Sequence, residues 1–442
     1  QGLKPCKASG PDDISARILK EAAAELTAPL YTIFSKSLVT GCIPEDWKHA
    51  NVVPIFKGGN KTIASNYRPV SLTSIICKIL EKLIKCHILN HVEQNDILLP
   101  SQHGFIQGRS CLTNLLDFLE YTTDLLDKGG NVSVVYLYFC KAFDKVPHQR
   151  LIVSLQNHGL DGSLLKWIGS WLIGRKQRVV INGQQSKWVE VKSGVPQGTV
   201  LAPIFFIIFV NSLDSNLTSK VWKFADDLKI AREIRSNEDS EGLQSDLNKL
   251  SEWTKNWQME FNIQKCKVLN IGAGENEYHI NGNYLQNVIE EKDLGVLVTN
   301  DLKFSRHCRE ARKKALKMLG VLNRNVNYKS KEVVKKLYCS FVRPHLEYCA
   351  QACHSSLKKD IKSLERVQRK ATKMVSGLSG MTYRDRLIQL NMFSIYYRKI
   401  RGDLIEVFKI YKGIDKLDFE KVFKINKNST RGHNCKLTMK FS

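Results

Sequence analysis

Apolar residues recur at helical spacing near the start of the chain (Ile18, Leu19, Ala22, Leu26, Leu30), and Gly41-Cys42-Ile43-Pro44 breaks that pattern. From about Val52 to Leu125 the pattern suits short strands and helices. The run Val132-Ser133-Val134-Val135-Tyr136-Leu137 is β-branched and aromatic and follows the turn signal Gly129-Gly130, so it predicts a strand. The longest apolar stretch, Val200 to Val210, predicts a buried helix and is well short of the ~20 residues of a membrane span. Around Val221-Trp222-Lys223-Phe224-Ala225-Asp226-Asp227-Leu228-Lys229-Ile230, apolar flanks enclose an Ala-Asp-Asp centre and predict a tight hairpin with two carboxylates at its tip. Trp253, Trp257, Met259 and Phe261 give an aromatic helix face that reads as core rather than as a stacking platform. The Asn281-Gly282 pair inside Tyr278–Tyr284 predicts a second hairpin, and basic helices follow it.

The chain has 442 residues, enough for two or three subdomains, and its 43% hydrophobic content makes it globular. Its charge changes the picture more. Residues 1–300 hold 33 Lys and Arg against 31 Asp and Glu, whereas residues 301–442 hold 34 against 12, so nearly all of the net +24 sits in the C-terminal third. A field of that size attracts a phosphate backbone. Arg306–Lys314 and Arg366–Lys373 interleave basic and apolar residues, so one helix face packs while the other meets nucleic acid or, on the blander reading, only solvent.

Adjacent carboxylates at Asp226 and Asp227 repel unless a cation lies between them, and hard oxygen donors open to phosphates suit Mg²⁺, with Mn²⁺ as an alternative. Two such ions ~3.5–4 Å apart activate a primer 3′-hydroxyl and stabilise departing pyrophosphate. Two adjacent aspartates rarely hold both ions, so a third carboxylate is needed on a neighbouring strand. The best candidate strand is Val132–Leu137, and its C-terminal end carries Tyr138.

Several blocks, in this order and spacing, resemble the reverse transcriptase of non-long-terminal-repeat retrotransposons of the jockey-like LINE kind, over nearly the whole chain. They are Ser9-Gly10-Pro11-Asp12, Asn66-Tyr67-Arg68-Pro69-Val70-Ser71-Leu72, Gln102-His103-Gly104-Phe105, Lys141-Ala142-Phe143-Asp144, Ser193-Gly194-Val195-Pro196-Gln197-Gly198, Phe224-Ala225-Asp226-Asp227 and Glu291-Lys292-Asp293-Leu294-Gly295-Val296. The resemblance implies an α+β right-hand polymerase (fingers, palm, thumb) with a mostly helical C-terminal extension. It divides the chain into an N-terminal extension (1–50), fingers and palm (51–275), and thumb with a basic helical region (276–442). It also implies an RNA template, a DNA primer or target, deoxynucleoside triphosphates, and fusion to an upstream endonuclease. The chain starts at Gln1 and enters mid-motif, as part of a longer open reading frame would.

The resemblance assigns roles residue by residue. Asp226 and Asp227 are catalytic metal ligands, Phe143 is the aromatic gate against a ribose 2′-hydroxyl, and Gln197 and Gly198 contact the template base pair and nucleotide. Lys57 and Arg68 either pair with the triphosphate or are ordinary surface charges. Lys265 resembles the lysine that protonates pyrophosphate, or is a surface lysine. The family's metal-binding aspartate five residues before Phe143 is here Tyr138. A phenol, with an ordinary pKa of ~10, brings no charge comparable to a carboxylate. Asp144 lies past the strand, where the family keeps an aspartate of its own. Other departures are Ile106 at a usually basic position, Phe209-Val210-Asn211-Ser212-Leu213 in place of Tyr-Ile-Asn-Asp-Leu, and Gln351-Ala352-Cys353 at a usual tryptophan.

Scattered spacing of the 12 cysteines, with no Cys-x-x-Cys unit, fits a reduced, intracellular setting. The expected location is cytoplasm and nucleus. His345, Cys349, Cys353 and His354 fall at helix-like spacing in one apolar segment, which favours cysteines acting as buried hydrophobes over a zinc site. Three readings follow: an RNA-directed DNA polymerase impaired at Tyr138, a catalytically inactive nucleic-acid-binding remnant, and a decayed reading frame without a role.

Overall fold

The computed structural model describes residues 2–353, 355, 357–425 and 437–438. Two compact units are interleaved along the chain. One comprises residues 1–105, 138–218 and 245–263, the other residues 106–137, 219–244 and 264–442.

In the first unit, α1 (Ala16–Glu21) begins at a Ser15 cap and α2 (Ala23–Thr40) ends where Gly41 takes φ 68°, a conformation glycine adopts without steric cost. Strands β1 (His49–Phe56) and β2 (Tyr67–Thr73) pair antiparallel, with Ile55 opposite Arg68. The helix α3 (Ile75–Gln94) starts at Ser74, whose side chain accepts the Cys77 N–H. Short helices α5 (Ala142–Lys145), α6 (His148–Asn157) and α7 (Gly162–Leu172) precede β4 (Lys176–Ile181), which lies parallel to β1 and carries the two-residue strands β5 (Gln184–Gln185) and β6 (Val189–Glu190).

The apolar run is α8 (Ala202–Phe209), in which every residue except Pro203 is buried. Ile and Phe have poor helix propensity, up to ~0.7 kcal/mol each, but burying each side chain contributes ~1.5–3 kcal/mol, so packing decides. Phe209, Trp253, Trp257, Phe139 and Phe261 pack ring on ring, with Trp253 and Trp257 stacked at 5.8 Å and Phe139 on Phe261 at 4.8 Å. The face packs inward as expected, with Met259 and Phe261 buried in the core and Trp253 and Trp257 half-buried at its edge. Its helix, α9 (Asn237–Asn256), stops before Trp257.

In the second unit, α4 (Cys111–Asp127) covers a five-stranded sheet. Around the central β3 (Asn131–Tyr138), the strand order is β12 (Gln286–Val288), β9 (Lys267–Ile271), β3, β8 (Asp227–Ile234), β7 (Lys220–Phe224). Residues 132–137 are all buried, as a central strand covered on both faces requires. Phe118 of α4 meets Trp222 edge-on at 5.3 Å, and Asp117 accepts the Trp222 indole N–H at 2.6 Å. The Asn281-Gly282 hairpin forms as expected between β10 (His279–Ile280) and β11 (Asn283–Tyr284), with φ 49° and 76° at the turn. A further hairpin, β13 (Glu290–Asp293) with β14 (Val296–Thr299), leads into the helical region.

There α10 (Ser305–Asn325) buries Cys308, Ala311, Ala315 and Leu319 at helical spacing. A short helix, α11 (Lys331–Leu337), is followed by α12 (Pro344–Glu347) and α13 (Ala350–Cys353). Next, α14 (Lys358–Lys373) buries Leu364, Val367 and Ala371 and leaves Lys362, Arg366, Arg369, Lys370 and Lys373 exposed. The amphipathic division expected of the basic runs is present.

Candidate active site

The β7–β8 hairpin turns at Ala225-Asp226. Ala225 takes φ 56°, in the left-handed region, and Asp227 is already in the ladder opposite Phe224. Only Asp226 is therefore at the tip proper, exposed to solvent, while Asp227 is half-buried as the first residue of β8. Burial, then Asp226, then Asp293 push the Asp227 carboxyl up to about 6, against an opposing pull from Lys229. Residues 227 and 229 leave the same face of the strand. Lys229 is buried and ion-paired with the buried Asp293 of β13, and its ammonium sits 4.2 Å over the Phe118 ring. This buried pair is a feature that sequence reading missed. The only hint was Lys229 lying between two apolar residues in a predicted strand.

Strand β3 ends on Tyr138, which is half-buried, and its carbonyl accepts the Asn262 N–H at 2.7 Å. In the sheet, β3 runs between β9 and β8. Tyr136 of β3 pairs with Lys267 of β9, and Lys265 is exposed in the turn two residues before it. Gly130, just before β3, lies against the Glu233 carboxylate near the end of β8. These two strands therefore run antiparallel, and β3 ends on the side of the sheet where β8 begins.

The first unit gathers most of the remaining candidates. Phe143 stacks on the buried Phe206 at 4.6 Å, and its carbonyl accepts the Val195 N–H at 2.7 Å. Gln197 donates from Nε2 to Asp144 Oδ1 at 3.0 Å, and its own carbonyl accepts the Ser71 N–H of β2 at 2.7 Å. Asp144 is thus the partner of Gln197, a link the sequence did not reveal. A Cβ on Gly198 would lie 2.8 Å from the Ser71 carbonyl oxygen, and one on Gly194 2.6 Å from that of Asp144. Both glycines have positive φ, so close approach and turn geometry each require them. Arg68 is exposed on the same β2 strand; Lys57, exposed just past β1, donates its N–H to the Asn66 carbonyl at 2.9 Å. Ile55 faces Arg68, and Lys57 is two residues on, so both basic side chains leave one face of the ribbon.

The cysteine segment departs from the single helix its spacing suggested. Cys349 has φ 47°, which separates α12, carrying His345, from α13, carrying Cys353. Cys349 and Cys353 are buried, and burial pushes the Cys349 thiol up to about 11. His354 lies outside the described residues. Among the described residues, no group of three or more His, Cys, Asp or Glu is arranged to hold a metal ion, and no helix is long and apolar enough to cross a membrane.

The chain is an α+β protein whose sheet sets adjacent aspartates at a hairpin beside a buried central strand, which fits the polymerase fold of the reverse transcriptases. The reverse transcriptase (RNA-dependent DNA polymerase) family profile matches residues 55–322, and the chain belongs to that family. It is 28% identical over 392 residues, 85% of this chain and 43% of the relative, to the RNA-directed DNA polymerase from mobile element jockey of Drosophila funebris. It is 26% identical over 84% of this chain and 42% of the relative to the probable RNA-directed DNA polymerase from transposon X-element of Drosophila melanogaster. The chain thus spans less than half the length of these curated relatives. A solved structure of apo telomerase from Candida tropicalis covers 84% of this chain and 66% of its own at 13% identity, with a TM-score of 0.46.

Proposed function

We propose that this chain is the RNA-directed DNA polymerase portion of a non-long-terminal-repeat retrotransposon protein, weakened at Tyr138. The observation that carries the proposal is the β7–β8 hairpin, where the raised carboxyl of Asp227 marks a site crowded with negative charge. Such crowding fits a divalent cation, Mg²⁺ by the chemistry of its oxygen donors, held by Asp226 and Asp227. When bound, the metal would supply charge neutralisation for nucleotidyl transfer. The set is incomplete for two ions, since a neutral phenol stands at 138.

The rest of the chain binds and orients. The Gln197–Gly198 turn and the stacked ring of Phe143 would receive the deoxynucleotide, Lys57 and Arg68 would meet its phosphates, and exposed Lys265 would deliver a proton to pyrophosphate. Residues 1–50 would be an extension, 51–275 fingers and palm, and 276–442 the thumb and basic region that grips an RNA template with its DNA primer. An upstream endonuclease and a cytoplasmic and nuclear location belong to the same reading.

A second reading, an inactive nucleic-acid-binding remnant, draws on Tyr138 together with the exposed basic faces of α10 and α14. Templated incorporation separates the two. Protein carrying Tyr138→Asp is expected to add the deoxynucleotide that an RNA template dictates, and Asp226→Asn in that background to abolish it. A folded Tyr138→Asp protein that binds template-primer but adds nothing favours the remnant.

A further inference from the structure

Glu81, on α3, is fully buried, at 0% exposure. A carboxylate persists in such a place only when its oxygens are satisfied. Its Oε2 accepts the backbone N–H of Val200 at 2.6 Å, and its Oε1 accepts the indole N–H of Trp171 at 3.1 Å. The Cys77 thiol lies 3.5 Å from Oε1. Arg175, also buried, sets its guanidinium 5.1 Å over the Trp171 ring, donates to the Trp171 carbonyl at 3.1 Å, and interacts favourably with the Glu81 charge.

Val200 closes the turn that opens at Gly194. The turn's second fixed point is the bond from the Ser71 N–H to the Gln197 carbonyl. Gln197 and Gly198 therefore sit between two anchors, one on β2 and one on α3. The α3 anchor is charge-assisted, about twice as strong as a neutral bond. Thr199 adds a weaker local bond, its N–H reaching the Pro196 carbonyl at 3.3 Å.

We infer that Glu81 is a positioning residue, whose carboxylate fixes the Gln197–Gly198 turn for the incoming deoxynucleotide. The inference rests on the nucleotide-binding role proposed for that turn. Glu81 acts through the main chain of Val200, so its loss should affect nucleotide affinity more than template affinity.

The test is equilibrium binding of the templated deoxynucleotide, with Mg²⁺, to the protein on an RNA template with a dideoxy-terminated DNA primer, so that no turnover is required. Glu81→Ala is expected to weaken nucleotide binding by about tenfold while template-primer affinity stays within about twofold. Glu81→Gln keeps an acceptor for the Val200 N–H but loses its charge, and is expected to weaken nucleotide binding by about threefold. Trp171→Phe removes the indole donor to Oε1 but keeps the Val200 bond to Oε2, and should leave nucleotide affinity unchanged. If Glu81→Ala fails to melt cooperatively, Glu81→Gln decides: a loss of about threefold confined to nucleotide supports the inference, and unchanged affinity overturns it. A folded Glu81→Ala protein that binds nucleotide like the parent, or loses template-primer in parallel, overturns the inference alone. If neither the parent nor its Tyr138→Asp version binds the templated nucleotide, the reading of the turn is overturned and this inference with it.

Discussion

Asp227 holds its proton to about 6 in the folded chain, against an ordinary aspartate value of 3.8. A carboxyl raised by folding stabilises the native state fully below its unfolded value, and that contribution is lost as pH rises through the folded one. In chelator, Asp227→Asn should therefore match the parent in stability at about pH 3 and exceed it by ~1–2 kcal/mol at neutral pH, by thermal melts. Equal stability at both pH values would remove the argument for crowded charge. At this scale the sequence revealed the two aspartates and the tyrosine, because each stands inside a short local pattern. It did not reveal that Asp227 belongs to the ladder rather than the tip, or that Asp144 holds Gln197. Those depend on Ala225 adopting φ 56° and on two segments meeting across more than fifty residues.

Elements were legible where local pattern and burial agree. The α8 run, the β3 strand and the Asn281-Gly282 hairpin each carry their own signal, whereas the break at Cys349 carries none because its left-handed backbone falls on a residue that does not favour it. Long-range pairing was equally hidden: Lys229 and Asp293 are 64 residues apart, yet they join β8 to the β13–β14 hairpin. The turn of that hairpin is held from the helical region as well, by the Tyr348 hydroxyl donating to the Leu294 carbonyl at 2.8 Å. Breaking a buried ion pair strands a charge. Lys229→Met or Asp293→Leu alone should cost ~3–5 kcal/mol in denaturant unfolding, and the double substitution ~1 kcal/mol or less. Additive losses in the double variant would show that the two residues act independently.

For the molecule as a whole, charge was the most legible property. The excess of basic residues after 300 is plain in the composition, and α10 and α14 turn those residues outward. Affinity for an RNA–DNA duplex should fall with salt at a log–log slope of about −5 or steeper, and Lys317→Ala and Lys362→Ala should each reduce its magnitude by about 1. A slope near zero would mean a solvated surface. The interleaving of two compact units was not legible, because no composition shift marks where the chain passes from one to the other. The central claim is that the polymerase scaffold is intact and that Tyr138 alone limits it. Its most direct test is the rate of single-nucleotide primer extension on an RNA template with Mg²⁺, comparing the unaltered protein with Tyr138→Asp. The account predicts that only the Tyr138→Asp protein extends at a measurable rate. Equal extension by the unaltered protein would contradict it, since another group would then have to complete the metal site.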